Sequence, residues 1–261
     1  MLLTIDAGNT RTKWALFDAV GEITWQGVCL NEAITSAEFL PENIKCDRTI
    51  IANVAGENHA KSIATQLEKY QIKNIIWAKP AAQACNVING YTHIETLGID
   101  RWAAMIAAWQ LVQAPCVVVN AGTAATIDGL CPKNAHGKEY GEFKGGLILP
   151  GLYLMQQSLG LATAQLPMPD RSKSTVSNQS RQNIFAKTTA DAIHEGALHA
   201  VSGAITLMSH TLNAIYRTWP TVVISGGDAR VIKENLTADV TRQSIIVDNL
   251  VLHGLYLLAN E

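Results

Sequence analysis

Residues 2–18, LLTIDAGNTRTKWALFD, decide the fold because they place a polar turn between two short apolar runs. The first run, Leu2 to Ile5, is too short for a helix and is bounded by turn residues, so it predicts a strand. The tip, Asp6 to Thr10, is rich in residues that tolerate positive φ, and Gly8 lets the backbone approach a ligand closely. The stretch therefore predicts a strand, a tight turn and a second strand.

The same turn carries chemical groups that suit a phosphate and a metal ion. Consecutive backbone N–H groups can form an anion-binding nest there, and Lys13 adds a positive charge suited to phosphate. The Asp6 carboxylate would repel phosphate unless a cation lay between them. A metal–nucleotide complex is one hypothesis for this turn, and an ordinary hairpin is the alternative.

Composition limits the classes of protein to which the chain can belong. Its 261 residues suffice for one large domain or two moderate ones, and 48% hydrophobic residues allow a substantial core. The net charge of -2 gives no basic excess, so we expect no nucleic-acid partner. We expect no membrane partner, because no apolar run has the length of a transmembrane helix. Asp6 interrupts the first apolar run, so we expect no signal peptide.

The metal-binding and redox-active residue types are scattered. The five cysteines are an odd number and contain no C-x-x-C pair, which argues against a disulfide framework or a zinc site. They favour a reducing, cytoplasmic location. The seven histidines show no metal-ligand spacing, so none is assigned a role.

The strand–turn–strand pattern returns about a hundred residues later. A strand is predicted from Cys116 to Val119, then a turn, Asn120 to Thr123, and a second strand, Ala124 to Leu130. This repetition suggests two similar α/β halves with a cleft between them. The predicted halves are residues 1–114 and 115–261.

Hydrophobic periodicity supplies the other elements. Further strands are predicted at Ile23–Leu30, Thr49–Val54, Ile75–Trp77, Gly145–Gly151 and Val222–Ile224. Helices are predicted at Asn58–Tyr70, Arg101–Val112, Leu152–Leu161, Thr189–Thr211 and Asp248–Asn260. An exposed loop is predicted from Pro167 to Ser180. Trp102 and Trp109 share one helix face, which indicates packing in the core or in a dimer.

A third glycine-rich turn, Ser225 to Arg230, follows a predicted strand. The three turns together resemble those of the acetate and sugar kinase/actin superfamily. More narrowly, the chain resembles the type III pantothenate kinases. The matching segments, in order, are Asp6–Lys13, Gly98–Arg101, Gly122–Ala124, Gly145–Gly151 and Thr189–Ile193.

This resemblance implies an α/β fold and an activity. The fold would have two ribonuclease-H-like (actin-like ATPase) halves, with mixed sheets flanked by helices, and ATP would lie in the cleft between them. The first two turns would grip phosphates and the third would lie against adenosine. The enzyme would be a phosphotransferase that converts pantothenate to 4'-phosphopantothenate with ATP, the first committed step toward coenzyme A.

The resemblance also implies site residues. ATP would be bound by Asp6, Ala7, Gly8, Asn9, Thr10, Arg11, Thr12, Lys13 and Thr123. Pantothenate would be bound by Tyr91, Gly98, Ile99, Asp100, Arg101 and Thr189. Asp100 would be the general base and Arg101 would bind the substrate carboxylate. Thr189 would reach the substrate of the other subunit, because the family is a homodimer with shared active sites.

Two cations are implied. A divalent ion, Mg²⁺ or a similar one, would accompany ATP near Asp6. The family usually has Asp where this chain has Asn120, and that Asp binds a monovalent cation such as K⁺ or NH₄⁺. Asn offers a carbonyl oxygen but no charge, so we expect a weaker dependence on potassium than is usual in the family.

Each site residue also has an ordinary structural interpretation. Lys13 could be an exposed strand lysine, and Arg101 a solvated first-turn residue. Asp100 and Thr189 could each be a helix N-cap. Ser225 to Asp228 could be a plain strand-to-helix turn.

Two other function classes stay open. A sugar or acetate-type kinase of the same superfamily would be expected to lack the segment Gly98–Arg101 at this position. A non-catalytic nucleotide-binding regulator would not need Asp6, Lys13 and Asp100, so these residues argue against it.

Overall fold

The computed structural model describes residues 1–42, 44–46, 48–135, 137–163, 166 and 184–261. The chain divides into two compact units. Unit 1 comprises Met1–Gln113, Pro132–Phe143 and Asn249–Glu261, and unit 2 comprises Ala114–Cys131 and Lys144–Asp248. The predicted division into residues 1–114 and 115–261 stays a prediction, because each compact unit combines separate segments of the chain. The predicted loop from Pro167 to Ser180 lies outside the described residues.

Unit 1 is built on a mixed sheet with the order β3-β2-β1-β4-β5. Its strands are β1 (Leu2–Ala7), β2 (Arg11–Phe17), β3 (Ile23–Leu30), β4 (Arg48–Asn53) and β5 (Asn74–Trp77). β1 is antiparallel to β2 and parallel to β4. Side chains alternate between the two faces of each strand. Leu3 and Ile5 therefore join Trp14 and Leu16 in one core cluster, whereas Asp6 lies opposite Lys13 in the register of β1 and β2.

Three α-helices belong to unit 1: α1 (Glu57–Glu68), α2 (Ile99–Val112) and α7 (Leu250–Leu258). α2 is nearly all apolar and packs closely on α7, where a side chain at Gly254 would begin 1.9 Å from the Ala103 carbonyl oxygen. Trp102 and Trp109 are 0% and 3% exposed. Both tryptophans are thus core residues, which decides between the two predicted roles. Unit 1 also has 3-10 helices at Asn31–Ser36 and Ile94–Thr96.

Unit 1 includes a short hairpin of β6 (Gln83–Ala84) and β7 (Val87–Ile88). The long strand β10 (Lys138–Pro150) pairs with it at Gly141 and Glu142, in parallel to β7.

Unit 2 is also built on a mixed sheet, with β8 (Cys116–Ala121), β9 (Ala124–Ala135), β11 (Thr221–Ser225) and β12 (Ser244–Ile246). The strand order is β12-β11-β8-β9-β10. Its helices are α3 (Leu152–Ala162), α4 (Thr189–Tyr216), α5 (Ala229–Glu234) and α6 (Ala238–Arg242). Val201 and Ile205 of α4 join Val117, Ile127 and Ile224 of the strands in one buried cluster.

The predicted class, α/β with two mixed sheets flanked by helices, is confirmed, and most of the predicted elements are present. Differences lie mainly at element ends: β10 begins at Lys138 rather than Gly145, and α2 begins at Ile99 rather than Arg101. β6, β7, β12 and α6 were not predicted, because they have only two to five residues and show too little periodicity. Among the described residues, no helix combines the length and apolarity needed to cross a membrane.

Candidate phosphate and substrate site

The predicted phosphate turn is the connection between β1 and β2. Gly8 N–H donates to the Arg11 carbonyl at 3.1 Å, which closes the turn. Ala7 is buried at the end of β1, while Asn9 at the tip and Arg11 at the start of β2 are exposed. The structure thus confirms the strand–turn–strand geometry, and phosphate contacts by these residues stay a prediction.

Asp6 and Lys13 lie side by side at the base of this turn. Their register as direct partners on antiparallel strands puts both side chains on the same face of the sheet. Both residues are partly buried. Lys13 is therefore not a fully exposed strand lysine.

The Asp6 carboxyl group is electrostatically strained when ionised. Burial, together with the negative charge of Asp100, raises the pKa of Asp6 to about 7, although the positive charge of Lys13 acts to lower it. The charge of Asp100 thus acts on the Asp6 carboxyl group. A divalent cation near Asp6 would offset both the energetic cost of burying the carboxylate charge and the repulsion from Asp100.

Thr12 faces the opposite side of the sheet from Asp6 and Lys13, because neighbouring strand residues alternate. It is fully buried. Its hydroxyl donates to Asn31 Oδ1 at 2.9 Å and lies 2.7 Å from His59 Nε2. Its side chain is engaged within unit 1, and contact of Thr12 with ATP stays a prediction.

The segment Gly98–Arg101 forms the start of α2. Gly98, not Asp100, is the N-cap residue, and Asp100 lies within the first turn. The alternative that Asp100 caps the helix is wrong, because the helix begins two residues earlier than predicted. Gly98 leaves room for Asp100, since a Cβ at Gly98 would lie 2.5 Å from Asp100 Oδ1.

The Asp100 carboxylate accepts a hydrogen bond from the backbone N–H of Arg101 at 2.8 Å. Burial raises the pKa of Asp100, while this N–H and the Arg101 guanidinium act to lower it. A carboxyl group with a raised pKa is a stronger base than an exposed one. This environment suits the predicted general base.

Arg101 is only 4% exposed, which contradicts its alternative interpretation as a solvated residue. Its Nη1 donates to the Tyr91 hydroxyl oxygen at 2.7 Å. The guanidinium lies 5.4 Å from the Tyr91 ring centroid and 5.7 Å from that of Phe143. These two rings stack with centroids 5.2 Å apart. The structure thus brings together Tyr91 and Arg101, which are ten residues apart in sequence, while Ile99 beside them is buried in the core.

In unit 2, the second and third glycine-rich turns are brought together. Asn120 lies near the end of β8, and Thr123 is exposed in the turn to β9. Gly226 has φ +107, and a Cβ there would lie 2.3 Å from the Ala121 carbonyl oxygen. This close approach requires glycine. Contact of Thr123 with ATP and of Asn120 with a cation stay predictions.

Thr189 is the first residue of α4 and is exposed. The alternative that it caps the helix is wrong, because Thr188 is the N-cap and its hydroxyl accepts from the Asp191 N–H at 3.1 Å. The Thr189 side chain is thus not needed for capping. Its contact with a substrate stays a prediction.

Sequence reasoning missed Phe143, Asn31 and His59, which contact Arg101 or Thr12 in the structure. They lie in no glycine-rich segment. Phe143 could have been flagged only as an apolar residue in a strand. Among the described residues, no group of three His, Cys, Asp or Glu side chains could hold a metal ion by itself.

Comparisons with known proteins agree with this geometry. The sequence profile of the family described as "Type III pantothenate kinase" matches residues 2–211. A type III pantothenate kinase of Methylobacillus flagellatus is 39% identical over 259 residues, with 98% of this chain and 97% of that protein covered. Its counterpart in Nitrosospira multiformis is 36% identical, covering all of this chain and 92% of the relative.

A similar solved structure shows the fold. The crystal structure described as a Baf family transcriptional activator from Campylobacter jejuni has a TM-score of 0.58 and 19% identity. The similarity covers 99% of this chain and 97% of that one. With the family profile across most of the chain and relatives above 30% identity over their full length, the chain belongs to the type III pantothenate kinase family.

Proposed function

We propose that this protein transfers the γ-phosphoryl group of ATP to the primary hydroxyl of pantothenate, which yields 4'-phosphopantothenate for coenzyme A synthesis. The observation that carries the proposal is the pairing of a buried Arg101–Tyr91 contact with a partly buried Asp100 at the start of one helix. The start of that helix carries the Arg101 guanidinium, which suits a substrate carboxylate, beside the Asp100 carboxylate, which can act as a base toward a substrate hydroxyl. Pantothenate has both groups.

Phosphoryl transfer depends mostly on positioning and on charge stabilisation. Backbone N–H groups at the tip of the turn, among them that of Asn9, and the Lys13 ammonium bind the phosphates. Asp6 would hold Mg²⁺ near the phosphates, and the ion would offset the charge that builds up. This assignment suits the partly buried Asp6 carboxylate, because carboxylate oxygens are ligands of the kind that Mg²⁺ prefers.

Asp100 accepts the proton of the substrate hydroxyl as that oxygen attacks the phosphorus atom. Gly98 leaves space for its carboxylate, and the Arg101 N–H holds one oxygen in place. The other carboxylate oxygen then faces the hydroxyl. Turnover thus requires Asp100 in its ionised form.

Arg101 and Tyr91 bind the carboxylate end of pantothenate. The Tyr91 oxygen accepts a hydrogen bond from Arg101, so the Tyr91 O–H is left to donate to the substrate. The rings of Tyr91 and Phe143 restrict where the guanidinium can lie. The planar guanidinium then offers paired N–H groups to a carboxylate.

Arg101→Lys is expected to raise the KM for pantothenate about tenfold or more, because Lys lacks the planar fork and its stacking on two rings. The KM for ATP should change little. Steady-state kinetics with each substrate varied in turn measures both constants. An unchanged KM for pantothenate would exclude Arg101 as its carboxylate ligand.

Dependence on potassium should be weak, because Asn120 supplies a dipole where a carboxylate would supply a charge. K⁺ is titrated against an inert monovalent ion at constant ionic strength, with activity as the readout. Asn120→Asp should increase the response to K⁺. Strong activation of the unaltered protein would show that other oxygens complete a monovalent-cation site.

We also propose a homodimer with shared active sites, to which Thr189 contributes from the other subunit. Trp102 and Trp109 do not contribute to this interface, because both are buried within unit 1. Large apolar side chains of unit 2 are exposed, among them Ile148 at 64% and Leu161 at 72%, and a second subunit would cover them. A fully active monomer in sedimentation at micromolar concentration would contradict the shared site.

The proposed activity is tested by ADP release with and without pantothenate. We expect release that depends on pantothenate and on Mg²⁺. A sugar or acetate kinase would respond to its own acceptor, and a regulator would bind nucleotide without turnover. A cytoplasmic location and the lack of a nucleic-acid partner stay predictions.

A further inference from the structure

Asn31 holds the phosphate turn through two of the turn's carbonyl groups. Its side-chain Nδ2 donates to the Gly8 carbonyl at 2.8 Å. Its backbone N–H donates to the Thr10 carbonyl at 3.1 Å. Asn31 follows β3 directly and begins a 3-10 helix, so its position is set by two elements of secondary structure.

The hydrogen bonds around Asn31 can be assigned in only one direction. The Gly8 carbonyl can only accept, so Nδ2 must face it and Oδ1 must face Thr12. The Thr12 hydroxyl has one proton and gives it to Oδ1 at 2.9 Å. It must therefore accept from His59 Nε2–H at 2.7 Å. Burial lowers the pKa of His59, which favours a neutral ring. The hydrogen bond to Thr12 then requires this ring to keep its proton on Nε2.

These hydrogen bonds fix the direction of the Gly8 carbonyl and thereby the direction of the Asn9 N–H in the same peptide group. Peptide bonds are planar, and no described residue has a cis bond. The N–H of Asn9 therefore points opposite to the Gly8 carbonyl, away from Asn31. Asn9 itself is exposed at the tip of the turn. A carbonyl in that place would repel an anion, whereas an N–H attracts one.

We propose that Asn31, held in place by Thr12 and His59, is a positioning residue that turns the Asn9 N–H toward the phosphates of ATP. The inference rests on the proposed function, which places ATP phosphates at this turn. None of the three side chains needs to touch the nucleotide. Thr12 then serves the site from the opposite face of the sheet, through its hydroxyl and Asn31.

A purely structural role of Asn31 predicts a different result. If Asn31 only ties β3 to the first hairpin, its loss should lower the thermal midpoint and weaken both substrates alike. A positioning role affects nucleotide binding selectively. The two are separated by the affinity for nucleotide measured beside the KM for pantothenate.

The test uses the full chain and binding of Mg²⁺ with a non-hydrolysable ATP analogue, measured by calorimetry. Asn31→Ala removes both side-chain hydrogen bonds and should weaken nucleotide binding about five- to tenfold, because each bond contributes modestly. The KM for pantothenate should stay within about twofold. Equal nucleotide affinity, or equal losses for both substrates, would overturn the inference.

A second pair of variants, at the far end of the network, keeps the test decisive if Asn31→Ala does not fold. His59→Gln retains an amide donor for Thr12, whereas His59→Leu has none. We expect Gln to preserve nucleotide affinity within about twofold and Leu to weaken it about threefold or more. Similar nucleotide affinities of His59→Gln and His59→Leu would contradict the proposed role of the hydrogen bonds from His59 through Thr12 to Asn31.

Asn58→Ala is the matched control, because Asn58 is an exposed neighbour of His59 on α1. It should leave nucleotide affinity unchanged. Calorimetry does not require turnover. A protein that binds nucleotide but never phosphorylates pantothenate would therefore disprove the proposed function alone, while unchanged affinity of Asn31→Ala in an active enzyme would disprove only this inference.

Discussion

Asp100→Asn is expected to lower turnover about 10²-fold or more, because an amide cannot accept the proton of the substrate hydroxyl. The fold should survive. Asp100 is not the N-cap of α2, and its structural hydrogen bond is the one that Oδ1 accepts from the Arg101 N–H. The Asn side-chain oxygen can accept the same bond, so the free energy of unfolding should change by no more than about 1 kcal/mol.

Turnover, pantothenate affinity and the thermal midpoint are measured on one preparation of Asp100→Asn. Pantothenate should still bind, because Arg101 and Tyr91 are unchanged. Glu57→Gln is a matched control, since Glu57 is an exposed acid in the first turn of another helix, α1. Near-normal turnover of Asp100→Asn would show that the Asp100 carboxylate of the unaltered protein is not the general base.

Asp6→Asn is expected to have two opposite effects: a loss of turnover of about 10²-fold or more and a gain in stability without ligand. The loss follows because the amide carries no charge for Mg²⁺. The gain follows because the folded protein holds the Asp6 carboxyl group with a pKa of about 7, against an ordinary value of 3.8. Ionising this group in the folded state is therefore unfavourable.

The sign of the pH dependence follows from the same values. Between about pH 4 and pH 7 the folded state binds more protons at Asp6 than the unfolded state does, so stability from this group is lost as pH rises through that window. Asn at position 6 does not titrate. The thermal midpoint of the variant should exceed that of the unaltered protein more at pH 8 than at pH 5.

Both proteins are melted at each pH without nucleotide or divalent ion, and then with Mg²⁺ and ATP. The ligands should raise the midpoint of the unaltered protein more, because only its carboxylate can hold the cation. A variant that gains no stability relative to the unaltered protein between pH 5 and pH 8 would show that Asp6 is not strained by ionisation.

The sequence allowed much of the fold to be predicted, because its signals are local. The turn of Asp6 to Thr10 lies between short apolar runs, and these are β1 and β2. The resemblance placed Tyr91 and Arg101 in one pocket, but their direct contact was not predicted. The start of α2 was misplaced because Asp100 is a good cap residue, although Gly98 occupies that position.

The rest depends on contacts between distant residues. Thr12 meets Asn31 and His59, which lie 19 and 47 residues further along the chain. Phe143 reaches Arg101 from a strand 42 residues away. No periodicity or spacing marks such pairs, because they arise only when separate strands and helices pack together.

The central claim is that this chain phosphorylates the primary hydroxyl of pantothenate, and the product itself tests it most directly. Purified protein is incubated with ATP, Mg²⁺ and pantothenate, and the products are examined by mass spectrometry and phosphorus NMR. We predict one phosphoryl group on the primary hydroxyl, formed in equal amount to ADP, and almost none with Asp100→Asn. ADP release without phosphorylated pantothenate, or release that ignores pantothenate, would contradict the claim.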